Sequence, residues 1–231
     1  MGIKEKSKQS RNSIQYGIYR IINPLVHLLI KIGITPNAVT TIGFLGNVGA
    51  AVLIIIAGYG AGKYGIPDYT LVTIAGALII GFSLFDMLDG QVARLGNMTT
   101  EFGAMYDSVL DRYSELVTLG SIVYYLIQTD HLLGAIISFV ALIGSVMVSY
   151  VRARAEGLGI ECKMGFMQRP ERVVVTSLAT LATGIAGEAG APTFDADLIL
   201  VIAMAVIAVF ANMTAFARIF HCKKALSAKN R

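Results

Sequence analysis

The chain has no tryptophan, two cysteines and three histidines in 231 residues. Cys162 and Cys222 lie far apart, each beside a basic segment, which excludes a disulfide framework or a cysteine metal cage; both are expected to be reduced. His27, His131 and His221 show no ligand spacing, so they read as interfacial residues rather than metal ligands. Charge is scarce as well. Asp, Glu, Lys and Arg make up 15% of the chain, against about 25% in ordinary soluble domains. The first 24 residues are polar and basic and lack an apolar stretch followed by a small-residue cleavage site, so no signal peptide is expected there.

Apolar residues are abundant. They form 55% of the sequence, the mean hydropathy is +0.66, and long apolar runs recur along nearly the whole length. A soluble core of this size has no use for such runs, so the composition predicts an all-α integral membrane protein with a single domain over residues 1–231. Six spans are expected near residues 37–59, 70–95, 102–128, 132–157, 170–188 and 196–220. They divide the chain into a juxtamembrane segment, 1–36, a six-helix bundle, 37–220, and a basic tail, 221–231. Within residues 12–31, Ile14, Ile18, Ile21, Ile22, Leu25, Leu28 and Leu29 recur at helical spacing, interrupted by Arg20 and Pro24. That pattern predicts an N-terminal amphipathic helix lying in the membrane interface.

The distribution of positive charge sets an orientation. Basic residues gather before the first span, between spans four and five, and in the tail, while the opposite loops hold only Lys63. Both termini are therefore expected in the cytoplasm, on a protein of the cell membrane. The net charge of +4 points to anionic lipid head groups and not to nucleic acid.

The most informative segment is DMLDGQVARLGNMTTEFGAMYDSVLD, residues 86–111. An ionised carboxylate costs about 3 kcal/mol at mid-bilayer, so Asp86, Asp89, Asp107 and Asp111 together would cost on the order of 10 kcal/mol without compensation. Asp86 and Asp89 are three apart and share one helix face; Asp107 and Asp111 are four apart and share another. A short turn between the helices brings the pairs opposite each other at the cytoplasmic end. Four acids against Arg94 and Arg112 leave an excess of negative charge that favours a divalent cation. Two ions, Mg²⁺ or Mn²⁺, are expected rather than one, as in two-metal phosphoryl displacement. Gly90 and Gly103 permit close approach of a ligand, and Arg94 is placed to meet a phosphate.

Asp86-x2-Asp89-Gly90-x2-Ala93-Arg94-x8-Gly103-x3-Asp107-x3-Asp111 resembles, in full, the signature of the CDP-alcohol phosphotransferase family. The resemblance implies a CDP-linked lipid donor whose lipid-side phosphorus is attacked by an acceptor hydroxyl, with loss of CMP. It implies Asp86, Asp89 and Asp107 as metal ligands. Asp111 would border a metal and also act as the general base. Gly90, Arg94 and Thr100, with Asp86, would contact the CDP moiety.

A second block, SYVRARAEGLGIECKMGFMQRPERVVV, places Arg152, Arg154, Arg169 and Arg172 around a loop, and Arg218 approaches from the last span. Pro170 suits the first turn of a helix, so Arg169 and Arg172 sit on an ordered element. Guanidinium groups from three elements could meet one dianion, the usual device for phosphate. Glu156 is expected to pair with Arg152 or a neighbour. The stretches PLVHLLIKIGITPNAVTTIG, FDMLDG, SYVRARAEGLG and GFMQRPERVVV are similar to the phosphatidylinositol phosphate synthase branch of the family. That likeness implies CDP-diacylglycerol as donor, inositol 1-phosphate as acceptor and a homodimer. It also implies Ser149, Arg152, Arg169, Arg172 and Arg218 around the acceptor phosphate, and Asn37 and Thr40 beside the nucleotide. Glycerol 3-phosphate as acceptor and CDP-archaeol as donor remain open alternatives. A cation transporter is disfavoured, because a pathway needs polar groups through the full bilayer depth and here they gather at one end.

Overall fold

A computed structural model describes residues 23–190 and 194–229. The expected amphipathic helix at 12–31 falls largely outside these; its last part, 23–31, is helical. Seven further helices follow: α1 (Pro36–Tyr64), α2 (Tyr69–Ser83), α3 (Phe85–Leu95), α4 (Glu101–Gln128), α5 (Leu132–Glu156), α6 (Arg169–Glu188) and α7 (Asp197–Lys229). Among the described residues all regular structure is helical.

Four stretches are long and apolar enough to cross a membrane: Pro36–Tyr64, Tyr69–Leu95, Leu132–Glu156 and Asp197–Ala228. The protein is thus an integral membrane protein. Six spans were expected; among the described residues four helical stretches reach this combination of length and apolarity. Helices stand where spans three and five were expected, but α4 carries Glu101, Asp107, Asp111, Arg112 and Glu115, and α6 carries Arg169, Glu171, Arg172 and Glu188. This charge load makes both helices less apolar than the four candidate spans. The second expected span is also interrupted at Leu84, between α2 and α3.

The chain divides into two compact units. The first joins the residues up to Gly43 with Leu84–Leu110. Its core is Val26, Val39, Leu88 and Val92, with Leu29, Ile30, Phe85 and Met98 packed around them. Leu88 and Val92 are one helical turn apart, so one face of α3 is buried in this core. Thr35 caps α1 by accepting the Ala38 N–H at 3.3 Å, and Pro36 takes the first helical position. At the end of α3, the Gly96 N–H reaches the Val92 carbonyl at 2.9 Å. Asn97 then adopts φ 52°, a left-handed conformation that asparagine tolerates well. Thr100 starts α4 by accepting the Gly103 N–H at 2.9 Å.

The second unit joins Phe44–Ser83 with Asp111–Arg231. Ile54, Ile79, Ile122, Leu126, Met204 and Ile207 lie in its core. Small residues let α2 and α6 touch backbone to backbone: a Cβ on Gly76 would lie 2.5 Å from the Leu181 nitrogen, and one on Gly184 would collide with Thr73. At one end of this unit the Tyr125 hydroxyl donates to Asp197 at 2.8 Å. Nearby, His131 places Nε2 2.8 Å from Asp195 and Nδ1 2.7 Å from the Thr129 carbonyl. With both ring nitrogens facing oxygen acceptors, the imidazole favours its protonated form. Partial burial of the ring opposes protonation, but the Asp195 hydrogen bond and charge outweigh it, and the His131 pKa is raised.

Candidate active site

In the first unit, α1, α3, the turn after it and the start of α4 enclose a pocket of about 220 Å³. Asn37, Thr40, Asp89, Gly90, Arg94, Thr100, Gly103 and Asp107 all line it. Five residues expected to contact a CDP group therefore come together: Asn37, Thr40, Gly90, Arg94 and Thr100. Arg94 folds back over Gly90, where a Cβ would sit 3.4 Å from both terminal guanidinium nitrogens. A Cβ on Gly103 would meet the Thr100 Oγ1 at 2.9 Å and the Asn37 Oδ1 at 3.2 Å. Both glycines keep open space that any side chain would fill.

Asp89 is only 4% exposed. The Thr40 hydroxyl donates to its Oδ2 at 2.6 Å and the Gly90 N–H donates to its Oδ1. The charges of Asp107 and Asp86 both act on it, and no basic side chain of the described residues forms an ion pair with Asp89. Asp86 is half-buried on α3 and does not line the pocket itself. A buried carboxylate with only neutral donors, crowded by two like charges, is an oxygen-rich environment that suits a hard divalent cation. Among the described residues, however, no three acidic, histidine or cysteine side chains already converge into a ready-made cage.

In the second unit the residues expected around an acceptor fall into two sets. Arg172 and Arg218 are buried, at 1% and 2% exposed. Arg172 donates through Nε and Nη2 to the two oxygens of Glu115 and through Nη1 to the Met167 carbonyl at 3.2 Å. Arg218 donates to the carbonyls of Met164 at 2.8 Å and Val148 at 2.6 Å. Both guanidinium groups thus fasten the connection between α5 and α6. The other set is more open. Arg152, at the end of α5, pairs with Glu156 at 2.9 Å, with its side chain 40% exposed, and Ser149 is half-buried one turn earlier. Arg169 pairs with Asp111 at 2.7 Å. Pro170 occupies the first turn of α6, which sets Arg169 and Arg172 at its start.

Sequence reasoning missed Glu115. Its signal was present: Asp107, Asp111 and Glu115 follow at intervals of four, so α4 carries an acid on three successive turns of one face. The connection also brings Cys162 against Cys222. Burial, together with the neighbouring thiol, raises the Cys162 pKa. Glu161 reaches Lys163 at 3.0 Å, and that hydrogen bond and charge lower its pKa.

Comparison with known proteins adds a second line of evidence. The phosphatidylinositol phosphate synthase of Corynebacterium glutamicum is 34% identical over 168 residues, 71% of this chain and 71% of that one. The archaetidylinositol phosphate synthase of Methanothermobacter thermautotrophicus is 36% identical over 195 residues, 84% of this chain and 87% of that one. The crystal structure of Mycobacterium tuberculosis phosphatidylinositol phosphate synthase with CDP-DAG bound matches with a TM-score of 0.73 at 27% identity, covering 88% of this chain and 94% of that chain. The same protein in complex with manganese and citrate matches with a TM-score of 0.72 at 27% identity, over 86% and 87%. The family model for CDP-alcohol phosphatidyltransferase matches residues 33–211, and the chain belongs to that family.

Proposed function

We propose that this protein transfers a phosphatidyl group from CDP-diacylglycerol to inositol 1-phosphate, giving phosphatidylinositol phosphate and CMP. The observation that carries this reading is the pocket that Asp89 and Asp107 line together with Asn37, Thr40, Gly90, Arg94 and Thr100. A nucleoside diphosphate suits a narrow, glycine-lined slot with hydroxyl and amide donors and carboxylates that can hold a cation beside it, and these residues are of those kinds. The likeness to relatives named for inositol phosphate transfer, one of them solved with CDP-DAG bound, supports the substrate pair.

In the reaction, the inositol hydroxyl oxygen forms a bond to the lipid-side phosphorus as the bond from that phosphorus to the CMP oxygen breaks. The hydroxyl proton passes to Asp111, and CMP leaves as the phosphomonoester. Asp86, Asp89, Asp107 and Asp111 would hold divalent cations, Mg²⁺ or Mn²⁺ and two in number, and the manganese complex of the Mycobacterium tuberculosis enzyme supports that class of ion. Bound there, such ions neutralise the diphosphate and favour loss of CMP. Thr40 and the Gly90 N–H orient Asp89, and Arg94 supplies a guanidinium to the diphosphate. Arg152 and Arg169 are the accessible guanidinium groups for the acceptor phosphate, while Arg172 and Arg218, with Ser149, shape the surface around them. A six-span homodimer in the cell membrane, with termini and active site toward the cytoplasm, is the assembly this reading entails.

The test is CMP release by the purified protein in detergent with CDP-diacylglycerol and Mg²⁺, comparing inositol 1-phosphate, inositol and glycerol 3-phosphate. Release with inositol 1-phosphate alone is expected. Release with glycerol 3-phosphate alone would reassign the acceptor while keeping the reaction. The archaetidylinositol phosphate synthase relative favours a second donor, so CDP-archaeol is the comparison for the lipid half.

A further inference from the structure

We propose that, where Asp89 and Asp107 hold a divalent cation as read above, Tyr106 is the residue that positions them, acting through its hydrogen bond to Thr41. Helix α1 reaches both carboxylate-bearing helices through two adjacent threonines. Thr40 donates to Asp89 on α3 at 2.6 Å, and the Thr41 Oγ1 lies 2.9 Å from the Tyr106 hydroxyl on α4. Successive residues of a helix point about 100° apart, so one turn of α1 meets α3 and α4 at once.

A third hydrogen bond sets the direction of the second. Thr41 gives its only hydroxyl proton to the Asn37 carbonyl at 2.7 Å, so the Tyr106 hydroxyl donates and Thr41 accepts. Phe102, one turn earlier on α4, stacks on the Tyr106 ring with centroids 5.8 Å apart and planes 26° from parallel. That stack holds the ring with its hydroxyl at Thr41. One turn before Thr41, Asn37 comes beside α4 again, where a Cβ on Gly103 would lie 3.2 Å from its Oδ1.

Tyr106 immediately precedes Asp107. A turn that joins two helices sets their spacing at one end and does not by itself fix the rotation of either about its own axis. The Tyr106–Thr41 bond supplies that restraint one residue from Asp107, while Thr40 holds Asp89 from the same turn of α1. Small divalent cations such as Mg²⁺ demand near-ideal ligand geometry, and a functional site must hold its ligands to within about 0.5 Å. Loss of the Tyr106 hydroxyl therefore weakens the cation first, then the diphosphate it neutralises, and leaves the acceptor side unchanged. Tyr106 itself does not line the pocket, so it acts through Asp107 and not by touching the donor.

The experiment is titration of the full chain in detergent with Mn²⁺ in the presence of CDP, read by the electron paramagnetic resonance of free Mn²⁺, alongside CMP-release kinetics and a thermal melt. Tyr106→Phe keeps the ring and its stack on Phe102 and removes only the hydroxyl. It is expected to weaken Mn²⁺ about five-fold and to raise the Mg²⁺ concentration for half-maximal CMP release by a similar factor, with the acceptor KM within about two-fold. Thr41→Val is expected to match it and Thr41→Ser to keep the parent affinity. The double variant Tyr106→Phe/Thr41→Val is expected to be no weaker than either single one, because both remove the same bond. Parent-like Mn²⁺ affinity in Tyr106→Phe, with or without a lower melting temperature, would overturn the proposal, as would losses that add in the double variant. A parent protein that binds no Mn²⁺, or binds it equally well as Asp89→Asn, would overturn the metal reading itself and the proposal with it.

Discussion

Arg172 grips Glu115 through two parallel hydrogen bonds, Nη2 to Oε2 being 2.9 Å, with the arginine side chain 1% and the glutamate side chain 9% exposed. Removing one partner from such a pair leaves a buried, uncompensated charge. Glu115→Leu is expected to cost about 3 kcal/mol, which for a chain of this size lowers Tm by roughly 10 °C. Replacing both residues, Glu115→Leu with Arg172→Met, is expected to recover most of that loss. A double variant as unstable as the single one would show that the pair is not what holds α4 and α6 together.

Asp111 is the assigned base, and Asn has its shape without its proton affinity. Asp111→Asn is expected to slow CMP release by more than about 100-fold while CDP-lipid affinity stays within about three-fold. Lost affinity with normal residual turnover would move Asp111 from proton transfer to donor binding.

Arg152 is half-exposed and, among the described residues, is paired with its i+4 neighbour Glu156 alone, so its removal disturbs little structure. Arg152→Gln is expected to raise the KM for the phosphorylated acceptor about ten-fold and to leave the donor KM within about two-fold. An equal rise in both would return this arginine to a topological role.

Gly103 tests the donor pocket from the opposite direction. In Gly103→Ala the new methyl meets the Thr100 Oγ1 at 2.9 Å and the Asn37 Oδ1 at 3.2 Å. Donor affinity is expected to fall about ten-fold with thermal stability nearly unchanged. Titration of CDP-diacylglycerol binding reads the first and a melt reads the second.

His131 gives a pH dependence of known sign. Its folded pKa is raised above the ordinary 6.5, so the stabilisation is fully present below that value. It is lost as pH rises through the higher folded value, when the imidazolium deprotonates. Melting temperature is therefore expected to drop across this window in the parent protein, and the drop to be smaller in His131→Gln. Equal slopes in both would place the effect elsewhere.

Much of this molecule was legible in its sequence. A helix starts within a few residues of each of the six expected stretches, because hydropathy and length are local properties, but the first and last run on past their expected ends to Tyr64 and Lys229. The pocket was legible for the same reason: Asp89, Gly90, Arg94, Gly103 and Asp107 sit at fixed spacings on two helices joined by one short turn. What escaped was pairing between distant elements. Nothing near Arg172 announces that Glu115 fills its fork 57 residues away. Likewise, the separation of Cys162 and Cys222 in sequence gave no sign that the fold sets them side by side. The break at Leu84 was hidden because apolar residues continue through it, and averaged hydropathy does not register where one helix ends and the next begins.

Arg218 also says something about the order in which the protein is made. The connection after α5 contains no helix of its own between Gly157 and Gln168. It is tied through Met164 to a side chain 54 residues later, which is also bonded 70 residues back to Val148. Synthesis runs from the N-terminus, and early parts of a chain begin to fold before later ones exist. The pocket lined by Asp89 and Asp107 draws on residues 36–107 and can assemble early. The Arg218 tether forms only once most of the last candidate span has left the ribosome, so that pocket can close first and this fastening of the α5–α6 connection comes among the final acts of biogenesis.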